Sequence, residues 1–316
     1  MFDFCKEYTY TTAKEFLTAL SPWSSEFDLS EFVFRGHSDD NFKLIPSALR
    51  KDNLEKIWHF ANMFTPEEAH TKGKYFQMET EYTALRDFYR LADSRGLSVP
   101  VNERVRKRLI NKKDHFMGEL RKESSSWIPE DLLEIAALAQ HYGIPTRLLD
   151  WTHDPLVAAY FASHEKQQGS SYISVWCINH EIINLMNNTN EKCPLTFVTP
   201  PYSQNPNLAA QSGVFTHWPT PIVEFSKFRE SVDKGYIEQD NNESLDERLM
   251  RHFNHLGHSF DDTLVKIRLP SSQAQSLQLL LAESNYGASR LFPGYSGVVK
   301  EIKSRVRHHH IPETKY

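Results

Sequence analysis

Apolar residues recur at helical spacing along one stretch near the middle of the chain. Leu132, Ile135, Ala136 and Ala139 fall on one face. Pro129 suits a first helical position, and Glu130 and Asp131 favour a first turn. Gly143 predicts the stop, and Pro145 prevents continuation. Thr146 to Trp151 then reads as a short buried strand. Thr152 or Asp154 can cap a second helix that has Pro155 at its first position and Leu156, Val157, Tyr160 and Phe161 for the core. The pattern predicts helix, tight turn, strand, polar corner, helix.

The rest of the chain is arranged around this unit. Thr12 and Glu15 have capping-box spacing and open a helix through Phe16, Leu17 and Leu20. Glu31 to Gly36 alternates as a strand running into a glycine turn, and Phe42 to Pro46 reads as another strand. The span 52–126 is expected to be a helical insertion, with an amphipathic helix over Glu79–Arg95 (Leu85, Phe88, Leu91, Ala92) stopped by Gly96. Ser170 to Ile178 is β-branched and alternating, hence a strand. A short helix follows over Asn179–Asn188, then a loop rich in Pro, Asn and Thr over Thr189–Asn207. Gly213–Thr216 and Thr263–Leu269 are the remaining strands. Ser271 or Ser272 caps a helix through Leu277, Leu280 and Leu281. Leu291–Val298 is a glycine-punctuated turn before a last short helix.

Composition narrows the class. The chain has 316 residues, 40% hydrophobic and 12% aromatic, enough for a sizeable core. A net charge of -5 does not favour nucleic acid as a general partner. Three cysteines without metal-ligand spacing fit a reducing, cytoplasmic setting. The first residues lack a basic region followed by an apolar run, and no signal peptide is expected. No apolar run approaches ~20 residues, so no membrane span is expected. Residues 103–122 hold eight Lys/Arg against three Asp/Glu. Stacking aromatics are nearly absent there, so a solvated helix is preferred to a nucleic-acid face. Residues 230–247 hold seven acids against one lysine and read as an exposed, mobile stretch within an acidic insertion at about 226–262. His308–His310 could bind a metal, but three adjacent residues cannot all face one ion on a regular element, so a solvated tail is expected.

The chemistry concentrates at the polar corner. Arg147, Asp150, Trp151, Thr152 and His153 are its candidates, with buried structural pairing as the plain alternative. Arg35 stands at the end of a strand, where a guanidinium can grip a phosphate or carboxylate. A Gly-x-Gly-x-x-Gly fingerprint is absent, so a doubly wound dinucleotide domain is not supported.

Phe34-Arg35-Gly36, Leu44-Ile-Pro-Ser47 and Gln140-His-Tyr-Gly-Ile-Pro-Thr-Arg-Leu-Leu-Asp-Trp-Thr152 together resemble the FRG-domain family. Asn207, Gln211-Ser-Gly-Val-Phe215 and Leu291-Phe-Pro293 are similar to its later motifs, so the likeness spans about residues 20 to 303 of a single domain. Beneath it lies a likeness to arginine-dependent ADP-ribosyltransferases. Phe34-Arg35-Gly36 resembles their aromatic-Arg-Gly, and Asp150-Trp151-Thr152 sits where they carry Ser-Thr-Ser. Ala158–Phe161 resembles the helix behind it, and Gln211-Ser212-Gly213 takes the place of Gln-x-Glu. The resemblance implies an α+β fold with a central mixed, mostly antiparallel split sheet and a helical elaboration. It implies NAD as substrate, with Arg35 and Gly36 at the phosphate and Thr152 at the nicotinamide-side ribose or orienting an acid. Tyr142 or Trp151 would stack on nicotinamide, and Arg147 and Gln211 would complete the site. Gly213 stands where the glutamate is expected, so Asp150 or Glu224 would supply the carboxylate, or the site would bind NAD without transferring it.

Three functions follow. The first is a cytosolic ADP-ribosyltransferase-like enzyme or toxin in bacterial defence, acting on an unknown protein or nucleic-acid acceptor and using no metal. The second is a nucleotide- or protein-binding module without catalysis. The third is a metal-dependent nuclease or phosphodiesterase using His141, Asp150 and His153.

Overall fold

The computed structural model describes residues 5–23, 28–61, 73–100, 103–110, 126–164, 169–189, 192–203, 205–222, 243–257 and 263–306. The first part of the chain forms β1 (Cys5–Thr9), α1 (Ala13–Ala19), β2 (Phe32–His37), α2 (Lys51–Ala61), α3 (Gly73–Ser94) and α4 (Glu103–Ile110). The middle forms β3 (Ser126–Trp127), α5 (Leu133–His141), β4 (Leu148–Thr152), α6 (Pro155–His164), β5 (Tyr172–Asn179) and α7 (His180–Asn187). Then come β6 (Thr196–Val198), α8 (Pro206–Ala210), β7 (Gly213–His217), β8 (Thr220–Pro221), α9 (Leu245–Leu256) and β9 (Leu264–Pro270). Helices α10 (Ala274–Glu283), α11 (Ala288–Leu291) and α12 (Tyr295–Val306) complete the order.

The fold is α+β. A seven-stranded mixed sheet runs β1-β9-β5-β2-β4-β7-β6, and β3 and β8 form a separate pair. Only β1–β9 is parallel; every other neighbour in the large sheet is antiparallel. β5, rich in β-branched and aromatic residues, is buried along nearly its whole length, as an inner strand covered on both faces must be. Helices α1, α6 and α10 pack on one face of the β2–β5–β9 region. On the same side, α3 and α5 meet Leu148 and Phe215 of β4 and β7. Helices α7 and α9 cover the opposite face, over Val33, Leu149, Trp151 and Trp176.

One junction in the sheet is thin. β2 pairs with β5 from Phe32–Asn179 to His37–Ser174, but with β4 only at Phe34–Thr152. Beyond that pair the two strands part, and the gap between them becomes the floor of a cleft. Gly36 shapes its wall: a Cβ there would stand 2.0 Å from the Ala158 carbonyl oxygen. The missing side chain lets α6 lie directly on β2.

Local signals read in the sequence recur here. Thr12 and Glu15 make the reciprocal capping box that opens α1. Asp154 Oδ1 accepts from the Leu156 N–H at 2.9 Å, holding the start of α6, while Thr152 Oγ1 accepts from the Asp154 N–H. Among the described residues, the helical span between β2 and β3 contains only helices α2, α3 and α4 and short connections. No helix among the described residues is long and apolar enough to cross a membrane.

Some expectations are corrected. Phe42–Pro46 forms no strand. Ile45 N–H turns back to the Lys43 carbonyl at 2.8 Å, the Leu44 carbonyl accepts from Leu245, and Pro46 has no N–H to give a ladder. The expected loop before Gly213 contains β6, which pairs with β7 from Thr196–His217 to Val198–Phe215. So short a strand is held by its neighbour and not by its own pattern. At the end of the acidic stretch, Ser244 and Glu247 form a capping box that starts α9, and Leu245 is buried. Glu247, the last acid of the stretch, accepts from the Ser244 N–H at 2.8 Å at the start of this packed helix. Residues 223–242, including Glu224, lie outside the described residues, as do 111–125 of the basic stretch and His308–His310.

Candidate functional site

The cleft at the β2–β4 junction has a volume of about 340 Å³. β2 contributes Phe34, Arg35 and Gly36; the end of α5 contributes Gln140 and His141; β4 contributes Asp150, Trp151 and Thr152. Val157, Ala158 and Phe161 of α6, Gln211 before β7, and Phe292 after α11 close the rest. Residues more than 250 positions apart in the chain thus share one hollow of small-ligand dimensions.

Arg35 is the centre of its polar side. Its Nη1 donates to the Asp150 carbonyl at 2.7 Å and lies 3.5 Å from Asp150 Oδ2. Its Nε donates to His37 Nε2 at 3.0 Å. Among the described residues Nη2 carries no hydrogen bond, so one edge of the fork is open to a ligand. Burial draws the Arg35 guanidinium below its ordinary value, and the Asp150 charge opposes that. Asp150 projects into the cleft with its side chain 58% exposed, and Gln140 Nε2 donates to its Oδ1 at 2.8 Å.

Two further groups add to the electrostatics. Burial lowers His141, and the nearby Asp150 charge pulls it back up. Arg50, whose Nε donates to the Ile45 carbonyl at 2.8 Å, is lowered by burial and by the Arg35 charge, with Asp150 opposing. Two guanidinium groups close enough to repel each other, against one carboxylate, suit a ligand carrying negative charge.

Thr152 also lines the cleft, but its hydroxyl is committed. It donates to the Gln211 carbonyl at 2.6 Å and accepts from Asp154 N–H at 3.0 Å. Gln211 in turn gives Nε2 to the Leu291 carbonyl at 3.0 Å. Phe161 and Phe292 meet edge to face at 6.2 Å between ring centres and form an aromatic wall.

Several of the expected residues take other places or other partners. Arg147 is sealed in the interior with 2% exposure, bonded through Nε to Glu81 Oε2 at 2.8 Å and through Nη1 to Thr220 at 3.1 Å. It stands just before β4 and turns to Glu81 of α3, away from the cleft. Tyr142 is exposed and does not line the cleft. Trp151 borders the cleft but is buried, and its indole N–H is given to Thr216 Oγ1 at 2.8 Å. Gly36 lines the cleft and also lets α6 pack closely against β2. His153 does not line the cleft and lies against the His180 ring at 5.9 Å between centres. At Gly213, the position where the likeness expects a glutamate, a Cβ would meet the end of the Leu208 side chain, which would have to turn aside. Among the described residues no group of three or more His, Cys, Asp or Glu side chains could hold a metal ion.

Sequence reasoning missed Gln140, His37 and Arg50. Gln140 had a usable signal: it sits on the last turn of a helix whose apolar face is complete without it. His37 and Arg50 had none, since their partners are set by tertiary placement.

No curated protein and no solved structure matches this chain. A family model, that of the FRG domain, matches residues 30–171. That range holds β2, α5, β4 and α6, and so Arg35, Gln140, His141, Asp150, Thr152 and Phe161. Gln211 and Phe292 reach the same cleft from beyond it. With the arginine of its Phe34-Arg35-Gly36 on the cleft floor and the matched range supplying most of the walls, the chain carries an FRG domain.

Proposed function

We propose that the cleft binds a nicotinamide dinucleotide and that the protein is an ADP-ribosyltransferase-like enzyme with Asp150 as its carboxylate. The observation that carries this reading is the meeting of Arg35, Asp150 and Thr152 in one cleft open to solvent. Arg35 offers Nη2 to a phosphate oxygen. The Phe161–Phe292 wall offers a planar ring an apolar surface. Asp150 presents a negative oxygen toward the space where the ribose would carry positive charge.

In the reaction, the bond between the anomeric carbon and the nicotinamide nitrogen breaks, and its electron pair leaves with nicotinamide. The anomeric carbon becomes oxocarbenium-like, which a nearby carboxylate stabilises. A nucleophilic oxygen or nitrogen of the acceptor forms the new bond, and its proton passes to Asp150 and on to solvent. Consuming NAD in this way would suit a toxin or defence protein.

One observation favours a second reading, binding without transfer. The Thr152 hydroxyl is already spent on Gln211 and Asp154, and Gly213 brings no carboxylate to the place where the likeness expects one. Incubating the purified protein with NAD, with and without cell extract, separates the two. Nicotinamide release that disappears in Asp150→Asn supports the enzyme. A tight complex from which NAD returns unaltered supports the binding module. No binding and no release under any condition overturns both.

A further inference from the structure

The thin β2–β4 junction leaves the cleft floor without a backbone ladder, yet Arg35 and Asp150 are held in register across it. A chain of contacts runs through the gap, Thr146, Gln140, Asp150, Arg35, His37, in which Arg35 Nη1 donates to the Asp150 backbone carbonyl and faces its Oδ2 as an ion pair at 3.5 Å. We propose that Gln140 and His37 are positioning residues for the Arg35–Asp150 pair, fixing which oxygen and which N–H face the ligand. This rests on the cleft being the ligand site but not on the ligand being NAD.

The argument is one of direction. A guanidinium can only donate, so His37 Nε2 must accept from Arg35 Nε; His37 is therefore neutral with its proton on Nδ1. His37 is 4% exposed, in keeping with an uncharged ring. A carboxylate can only accept, so the Gln140 amide nitrogen must face Asp150 Oδ1, and its amide oxygen must face Thr146. The Thr146 hydroxyl donates to that oxygen and accepts from the Leu148 N–H at 3.2 Å. Every link has one allowed polarity, so the chain has one arrangement. It uses Asp150 Oδ1 and the Arg35 Nε edge, and it leaves Arg35 Nη2, with Asp150 Oδ2 held only by the 3.5 Å ion pair to Nη1, for the cleft. Without Gln140 the carboxylate is held only by the 3.5 Å ion pair with Arg35. Without His37 the guanidinium loses the contact that sets its plane. A site whose groups must be held to within a fraction of an ångström loses affinity when such supports go.

The test uses the full chain and two readouts. The first needs no ligand: the Arg35 Nε–H signal in a proton–nitrogen NMR spectrum and its rate of exchange with solvent. In the native protein it is expected to be slow and shifted by the imidazole acceptor. His37→Leu should bring it to ordinary fast exchange, and His37→Gln, whose amide oxygen can accept, should restore slow exchange. The second readout is NAD and ADP-ribose binding by calorimetry. Gln140→Leu and His37→Leu should each weaken it about 10-fold, with His37→Gln recovering most of the loss. Gln140→Glu keeps the size but replaces the donor by a charge facing Asp150, and should weaken binding at least as much as Gln140→Leu. A fast-exchanging Arg35 Nε–H in the native protein overturns the proposal, as does one indifferent to His37→Leu, or native-like binding by Gln140→Leu. If neither ligand binds while the NMR behaviour is as expected, the NAD reading fails and the His37 assignment stands. Gln140 is then judged by Gln140→Glu, which should displace the Arg35 Nε–H resonance; an unmoved resonance overturns its assignment. Should His37→Leu fail to fold, His37→Gln carries the first readout: fast exchange there overturns the proposal.

Discussion

Two arginine–carboxylate pairs in this protein are built from nearly the same parts and have opposite fates. Arg147 and Glu81 meet in dry interior, at 2% and 3% exposure, with the Trp127 indole N–H also given to Glu81 and Arg147 Nη1 donating to Thr220 Oγ1. Arg35 and Asp150 meet at the floor of an open cleft, with the carboxylate largely in solvent. Each region includes a buried neutral histidine that accepts a hydrogen bond at Nε2: His217 from the Ile128 N–H, His37 from Arg35. The interior pair has its visible polar atoms matched by protein. The cleft pair keeps the Arg35 Nη2 edge unbonded and its carboxylate exposed, with Oδ2 in only a long ion pair. Chemistry of this kind depends on what is left unmatched at an accessible place, and residue identity alone does not say where that is.

The comparison breaks most readily at the interior pair. Arg147→Ala strands the Glu81 charge in the core and should cost about 3–5 kcal/mol of stability in denaturant unfolding. A loss under 1 kcal/mol would mean that this pair, too, is wet. Acidification comes next. Burial, with the Arg35 charge in one case and the Arg147 charge in the other, lowers His37 to about 2 and His217 to about 3. The unfolded chain binds these protons near pH ~6.5 while the folded chain refuses them. Stability is therefore full above pH ~6.5 and falls as pH drops toward 3, by up to about 1.4 kcal/mol per pH unit for each histidine. His217→Gln should flatten that slope in urea titrations at a series of pH values, and an unchanged slope would show His217 to be no part of it.

Arg35→Ala should cost only about 1–2 kcal/mol, since water can reach the groups it leaves, while dinucleotide binding falls at least ~100-fold. Smallest in stability is Asp150→Asn, within about 0.5 kcal/mol of the native protein, with nicotinamide release abolished and NAD affinity changed only a few-fold. If Asp150→Asn unfolds the protein and Arg147→Ala does not, the two pairs have been assigned the wrong way round.

Much of this was legible in the chain. The helix–strand–corner–helix unit followed from apolar spacing, Gly143 and Pro155, and Arg35 stood out as a cation ending an apolar strand. Alternation along β4 already puts the Trp151 side chain on the face opposite Asp150 and Thr152, so the burial of its ring could have been read from period alone. Other features had no local trace. β6 exists because β7 offers it a ladder, and Phe42–Pro46 is not a strand because its carbonyls and N–H groups are used elsewhere.

What the sequence by itself determined is the set of elements and the presence of an arginine, an acid and a hydroxyl at their ends, because hydrophobic period and capping chemistry act within a few residues. What only the tertiary structure decided is which of those polar groups remain available. A hydrogen bond between Thr152 and Gln211, or between Gln140 and Asp150, depends on where distant segments are packed, and packing is a sum over the whole core.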